Sequence, residues 1–101
     1  WTGGISELKK ISIMAEPYFV PISPHNANGS LQIVSGIHVM MTVPNFYRLE
    51  HCVVFIPTYN NFLVDPIIFD GGRASISGKP GLGHDLDMDS VNANLHPDWI
   101  S

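Results

Sequence analysis

Phe19-Val20-Pro21-Ile22-Ser23-Pro24-His25-Asn26-Ala27-Asn28-Gly29-Ser30 passes from an apolar run through a polar loop into a helical pattern, and its reading decides the fold. Phe19–Ser23 contains β-branched residues and is punctuated by prolines, so it reads as a short buried strand. Pro24–Gly29 is rich in Pro, Asn and Gly and reads as a loop. Ser30 is placed to cap a helix running to about Thr42, with Leu31, Val34, Ile37, His38 and Met41 on one face. Val43-Pro44-Asn45 then reads as a turn and Phe46–Glu50 as a second short strand. The two strands begin 27 residues apart with one helix between them. That is the spacing of a β-α-β unit of roughly 30 residues, in which parallel strands require a crossover.

Outward from this unit the pattern continues. Upstream, Ser6 reads as a helix cap with Glu7 in the first turn, and Ile5, Leu8, Ile11, Met14 and Ala15 recur at helical spacing until Pro17 stops them. Before that helix, Trp1-Thr2-Gly3-Gly4 reads as the turn that follows a strand. The order helix–strand–helix–strand implies a parallel sheet and an α/β fold. Downstream, Ile67–Ile76 reads as a β-hairpin turning at Asp70-Gly71-Gly72. A Gly/Pro-rich stretch over residues 77–83 and an acidic tail follow, with Asp85, Asp87 and Asp89 expected on a solvated face. Two parallel strands do not make a sheet covered on both faces, and a complete β/α barrel takes at least roughly 200 residues. The 101 residues are therefore expected to be one piece of a larger barrel.

Composition narrows the function. The sequence is 45% apolar and 14% charged, with five Lys plus Arg, nine Asp plus Glu and a net charge of −4. No basic cluster is present, so nucleic-acid binding is not expected. The apolar runs Ile37–Met41 and Cys52–Pro57 are far shorter than a membrane span, and no membrane partner is expected. Cys52 is the single cysteine, which excludes an internal disulfide. With no signal segment visible, a cytoplasmic protein is expected.

In parallel β/α architectures the reactive groups gather at the carboxyl ends of the strands. His25 follows the first strand and Glu50 ends the second, so both are expected on one rim, where a histidine and a carboxylate are the ingredients of general acid–base chemistry. The alternative for His25 is capping of loop backbone groups. His38 reads as a packed helix residue, His51 as pointing away from Glu50, and His84 and His96 as solvated. The five histidines lack zinc-site spacing. Asn28-Gly29-Ser30 matches the glycosylation sequon but reads as a capping turn, and Gly81-Leu82-Gly83 is not a dinucleotide fingerprint. Asp85, Asp87 and Asp89 lack the glycine and terminal glutamate of a calcium loop.

Four motifs in order resemble a known family. Gly3-Gly4-Ile5-Ser6-Glu7-Leu8-Lys9-Lys10-Ile11 with Met14-Ala15-Glu16, then Val20-Pro21-Ile22-Ser23-Pro24-His25-Asn26, then Pro44-Asn45-Phe46 through Leu49-Glu50, and last Pro80-Gly81-Leu82-Gly83, are similar to segments of the enolase superfamily. The resemblance is to its mandelate racemase/muconate lactonizing branch, nearest to acid-sugar dehydratases of the galactonate type. It implies the C-terminal part of a modified parallel (β/α) barrel over residues 1–65, from the end of a sixth strand through the eighth. A hairpin and tail over residues 66–101 would return toward a cap domain absent from the chain.

It further implies a lyase that removes the proton next to a sugar-acid carboxylate and expels water to give a 2-keto-3-deoxy acid. The implied cofactor is Mg²⁺, with ligands on strands that this chain lacks. His25 would act as base or acid, Glu50 would hydrogen-bond the substrate carboxylate, and Asn26 would line the substrate pocket. The aspartate that pairs with the histidine would precede Gly3-Gly4, outside the chain. The expected partners are a small-molecule sugar acid and, for the full-length protein, further copies in a homo-oligomer. The chain alone is expected to be inactive. The alternatives are racemase or cycloisomerase chemistry of the same superfamily, or a catalytically dead interaction module.

Overall fold

In the computed structural model, which describes residues 2–99, the β-α-β unit is held more by its helix than by its strands. Helix α1 spans Ile5–Ala15 and ends in a 3₁₀ turn over Glu16–Tyr18. Helix α2 spans Ser30–Met40, and a 3₁₀ turn over Val53–Phe55 leads into α3, Ile56–Asn61. Strands β1 (Ile68–Asp70) and β2 (Arg73–Ser75) form an antiparallel hairpin. Helix α4, Met88–Ala93, precedes a 3₁₀ turn over Pro97–Trp99. The hairpin is paired Ile68↔Ser75, Phe69↔Ala74 and Asp70↔Arg73. Gly71 and Gly72 both take positive φ, as a two-residue turn matched to strand twist requires.

The two expected parallel strands are present only as a single bridge between Ile22 and Phe46. Ile22 N–H donates to Asn45 O at 2.8 Å, Tyr47 N–H to Ile22 O at 2.9 Å, and Glu50 N–H to Pro24 O at 3.4 Å. The pairing is parallel, as expected, but the expectation of a buried strand over Phe19–Ser23 fails. Phe19 is 93% exposed with φ +56, and Val20, Phe46 and Tyr47 are exposed too. A parallel strand is stabilised by neighbours on both edges, and among the described residues this pair has none. The reading of Trp1-Thr2 as the end of a sixth strand falls partly on Trp1, outside the described residues.

The core sits instead around α2. Ile33, Val34, Ile37, Tyr59, Leu63 and Ile67 form one buried cluster, against which Phe69, Ala74, Ile76, Leu82 and Leu86 pack. Val39, Met40 and Val43 form a second, and Leu49 touches both. The hairpin and tail thus share a core with α2 and α3. The buried stripe of α2 is rotated from the expected one: Ile33 and Met40 are inside, whereas Leu31 and Met41 are exposed.

The apolar face of α1 is also turned out. Ile5, Ile11 and Met14 are exposed, and Ser12 is the buried residue, its hydroxyl donating to Leu8 O. That inward face is fixed by polar staples to the end of α2. Asn45 Nδ2 donates to Ser12 O at 3.0 Å and Val20 O at 3.1 Å, and Lys9 Nζ donates to Thr42 O at 2.7 Å.

Neither expected serine cap forms. Gly4 and Gly29 occupy the cap positions, so Ser6 and Ser30 lie inside their helices. Ser30 is buried, and its hydroxyl donates to Tyr59 O, tying α2 to α3.

Candidate active site

The parallel bridge carries its chemistry at one end. Beyond Ile22 the chain passes Pro24 to His25, and beyond Phe46 it reaches Glu50, so the Glu50–Pro24 backbone bond sets the two side chains side by side. His25 Nδ1 lies 2.6 Å from Glu50 Oε2. An ionised carboxylate only accepts, so Nδ1 carries the proton and donates it; in the neutral ring Nε2 is then the nitrogen with the lone pair. The pair is open to solvent, with side chains 72% and 54% exposed.

The loop below His25 is held from α2. Gln32, half-buried in the first turn, donates from Nε2 to His25 O at 3.0 Å and accepts at Oε1 from Asn28 N–H at 2.9 Å. Sequence reasoning passed over Gln32. The signal available was a Gln three residues after the cap Gly29, where a side chain can turn back to the helix entrance. Asn26 is 1% exposed, and its amide nitrogen and oxygen have no hydrogen-bond partner among the described residues. It is brought near His25 by sequence but not to the open rim.

The other histidines stand apart. His38 Nε2 bonds Leu82 O at 2.9 Å and joins α2 to the closing loop. His51 stacks on Phe69 of the hairpin at 4.9 Å between centroids. His84 corrects the expectation of a solvated residue, for it is 8% exposed. Its Nε2 accepts from Ser77 N–H at 3.2 Å, so its Nδ1 donates to Asp65 O at 2.7 Å. It is a latch across the Gly/Pro-rich segment, which Ser77 Oγ also closes by donating to Gly83 O. His96 is exposed and pairs with Asp98 at 3.4 Å.

In the acidic tail Asp85 and Asp89 are exposed, as expected, and Asp87 is half-buried. Asp87 caps α4 by accepting from the Asp89 and Ser90 amides, and these hydrogen bonds, those from Ser90 foremost, hold its carboxyl below the usual range. Lys79 pairs with Asp65, and the hydrogen bond and charge of that carboxylate raise the Lys79 amine above its usual range.

An open, mostly apolar hollow of about 650 Å³ lies at the opposite ends of the paired segments, lined by Pro17, Phe19, Pro21, Pro44, Phe46 and Tyr47. It does not include His25 or Glu50. Among the described residues no group of three or more His, Cys, Asp or Glu side chains is placed to hold a metal ion. His25 and Glu50 are joined to each other, so the residues present do not fit a Mg²⁺ site. No helix among the described residues is long and apolar enough to cross a membrane.

The model of the enolase C-terminal domain-like family matches residues 1–90, most of the chain. The chain belongs to that family. Two of the solved structures that share its fold illustrate the likeness. One is a mandelate racemase/muconate lactonizing enzyme-like protein from Rubrobacter xylanophilus, with TM-score 0.82 and 31% identity, covering 95% of this chain and 25% of that one. The other is an enolase of the mandelate racemase subgroup from Agrobacterium tumefaciens, with TM-score 0.81 and 29% identity, covering 92% and 26%.

Among curated relatives, a D-xylonate dehydratase from Haloferax volcanii is 29% identical over 92% of the chain and 23% of its own length. A D-galactonate dehydratase from Xanthomonas oryzae is 33% identical over 96% and 28%. The family assignment and the likeness to acid-sugar dehydratases match what the four motifs implied. The chain spans about a quarter of the length of the curated relatives it matches.

Proposed function

We propose that this chain supplies the proton-transfer rim of a larger acid-sugar dehydratase, a hydro-lyase that converts a 2,3-dihydroxy acid into a 2-keto-3-deoxy acid and water. The observation that carries the reading is the His25–Glu50 pair, 2.6 Å apart at the carboxyl ends of two parallel-bridged segments. The names of the relatives supply the substrate class.

The reaction requires loss of the proton on the carbon beside the carboxylate and protonation of the departing hydroxyl on the next carbon. His25 Nε2 is the nitrogen free for one of these transfers, either accepting the carbon-bound proton or delivering one to the leaving oxygen. Glu50 holds the ring through Nδ1–H, which fixes the tautomer and stabilises the imidazolium whenever Nε2 is protonated. The family resemblance would instead give Glu50 to the substrate carboxylate and an aspartate before Gly3 to His25. We assign Glu50 the orienting role instead, on its 2.6 Å contact with His25 Nδ1. The Mg²⁺ expected in such an enzyme would have to be held by residues outside the chain, and no step here runs through it. On the same resemblance we assign residues 1–65 to the barrel and residues 66–101 to the segment returning toward a cap, and the whole protein to a homo-oligomer.

The test is incubation of the intact protein carrying this chain with a panel of aldonic acids, followed by assay for 2-keto-3-deoxy acids. Turnover in the wild type that disappears in His25→Ala supports the reading. Wild-type turnover that survives His25→Ala removes His25 from the chemistry. Exchange or inversion at the carbon beside the carboxylate without water loss replaces dehydration by racemisation.

A further inference from the structure

The geometry points to Gln32 as a positioning residue that aims His25, an inference that rests on the proton-transfer role just proposed for that histidine. His25 sits in a loop, Pro24–Gly29, whose backbone has few fixed points. One is the Glu50 N–H bond to Pro24 O at 3.4 Å, which is long for a backbone bond. The other is Gln32, whose single amide group makes two bonds to the loop at once. It donates to the His25 carbonyl at 3.0 Å and accepts from the Asn28 N–H at 2.9 Å.

Gln32 is the third residue of α2, after cap residue Gly29 and helical residues Ser30 and Leu31. A Gln here ordinarily reaches back to the cap residue's own N–H, closing the helix entrance. This one reaches one residue further, to Asn28, and its remaining N–H turns to the residue that carries the imidazole. The base of the α2 helix is locked by Ser30 on Tyr59 O and by the buried Ile33 and Val34. Gln32 therefore ties the His25 backbone to the buried, hydrogen-bonded first turn of α2, and the direction of the ring follows from that tie together with Glu50.

The two bonds can be separated by substitution. Gln32→Glu keeps an oxygen for Asn28 N–H and places a favourable negative charge in the first turn, so the helix entrance is retained or strengthened. It removes the N–H that holds His25 O and sets an oxygen against an oxygen. Gln32→Leu removes both bonds. A residue that only closes the helix would make Glu harmless and Leu damaging. A residue that aims His25 makes both damaging to the site while Glu leaves the fold intact.

The experiment compares both variants with wild type in the intact protein, by kcat and KM for the dehydrated acid, thermal melting, and ¹⁵N–¹H correlation of the His25 ring. The expected result for Gln32→Glu is an unchanged or raised melting temperature, a kcat lowered by up to roughly 100-fold with KM little changed, and a weakened Nδ1–H signal. These effects should persist at high salt, where a through-space effect of the new charge would fade. Wild-type kcat and an unchanged ring signal in Gln32→Glu would overturn the inference and leave Gln32 a helix-entrance residue. Should the wild type dehydrate no acid, the function proposed above fails, and the ring signal alone still decides whether Gln32 holds His25.

Discussion

Replacing Glu50 by Gln separates what the His25–Glu50 pair does for stability from what it does for chemistry. The pair is short, 2.6 Å, but its side chains are 72% and 54% exposed. Pairs so open to water contribute about 0–1 kcal/mol, because solvent screens the charges and both side chains lose rotamer freedom. The backbone bond from Glu50 N–H to Pro24 O is untouched by the substitution. The expected loss of stability is therefore below about 1 kcal/mol.

The effect on the ring is larger. A Gln at this position can donate an amide N–H to Nδ1, which moves the ring proton to Nε2 and removes the lone pair facing the substrate. In a buried triad a carboxylate-to-amide change of this kind costs about 10⁴ in kcat. Here the exposed ring can turn away from the amide, so the expected loss is smaller, about 10²-fold, or roughly 2.7 kcal/mol of barrier. The assay is kcat on the accepted acid beside a urea unfolding curve of the same preparation. An unchanged kcat, or an unfolding free energy lowered by more than about 2 kcal/mol, would refute the assignment of Glu50 as the residue that sets the His25 tautomer.

The closing segment offers a paired test of steric cost. A Cβ on Gly83 would lie 2.8 Å from Ser77 O on a backbone with φ +78, whereas one on Gly81, with φ +73, meets nothing within 4 Å. Gly81→Ala should cost only the backbone strain, about 1 kcal/mol, and Gly83→Ala at least about 2 kcal/mol more by denaturant midpoint. His84→Ala leaves the Ser77 N–H and Asp65 carbonyl without their partner in a partly buried place, and should cost about 1–3 kcal/mol with faster amide exchange at Ser77. Asp87, whose carboxyl is held below its ordinary 3.8, supports α4 fully above that pH and loses its support as pH falls through the lowered folded value. Amide exchange at Asp89 and Ser90, the residues it caps, should therefore accelerate only below about pH 3.8, and protection unchanged down to pH 2 would refute the capping role.

The elements that were legible in the sequence are those whose signals are local. The hairpin turn at Gly71-Gly72 and the extents of α1 and α2 depend on nearby residues and appear where expected, whereas the faces the two helices bury do not. Cap residues were misread because Ser6 and Ser30 outrank glycine as caps, yet the chain enters both helices through Gly4 and Gly29 and spends Ser30 on Tyr59. His84 looked solvated because its neighbours are polar and Gly-rich. Its ring bonds the carbonyl of Asp65, nineteen residues away, a contact that no local pattern announces. The segments Phe19–Ser23 and Phe46–Glu50 read correctly in direction but not in extent or burial, since a parallel strand depends on partners elsewhere.

That last contrast bears on how the site is built. A catalytic rim in a parallel barrel is ordinarily positioned by a closed sheet, each strand end fixed by the strands beside it. Here the sheet contributes one bridge between Ile22 and Phe46, and the residues around it, Phe19, Val20, Phe46 and Tyr47, are exposed. The rim nevertheless has a defined geometry, because its supports come from the helix side. Gln32 grips the His25 loop, Leu49 lies close against Gly36, and Ser30 with Ile33 anchors the start of α2 in the buried cluster. A Cβ at Gly36 would approach Leu49 Cδ1 to 3.1 Å, so α2 and the segment leading to Glu50 are as near as side chains permit. The pair is thus held from two sides, by the Gln32 tie to α2 and by the Glu50 N–H bond to Pro24 O across the bridged segments.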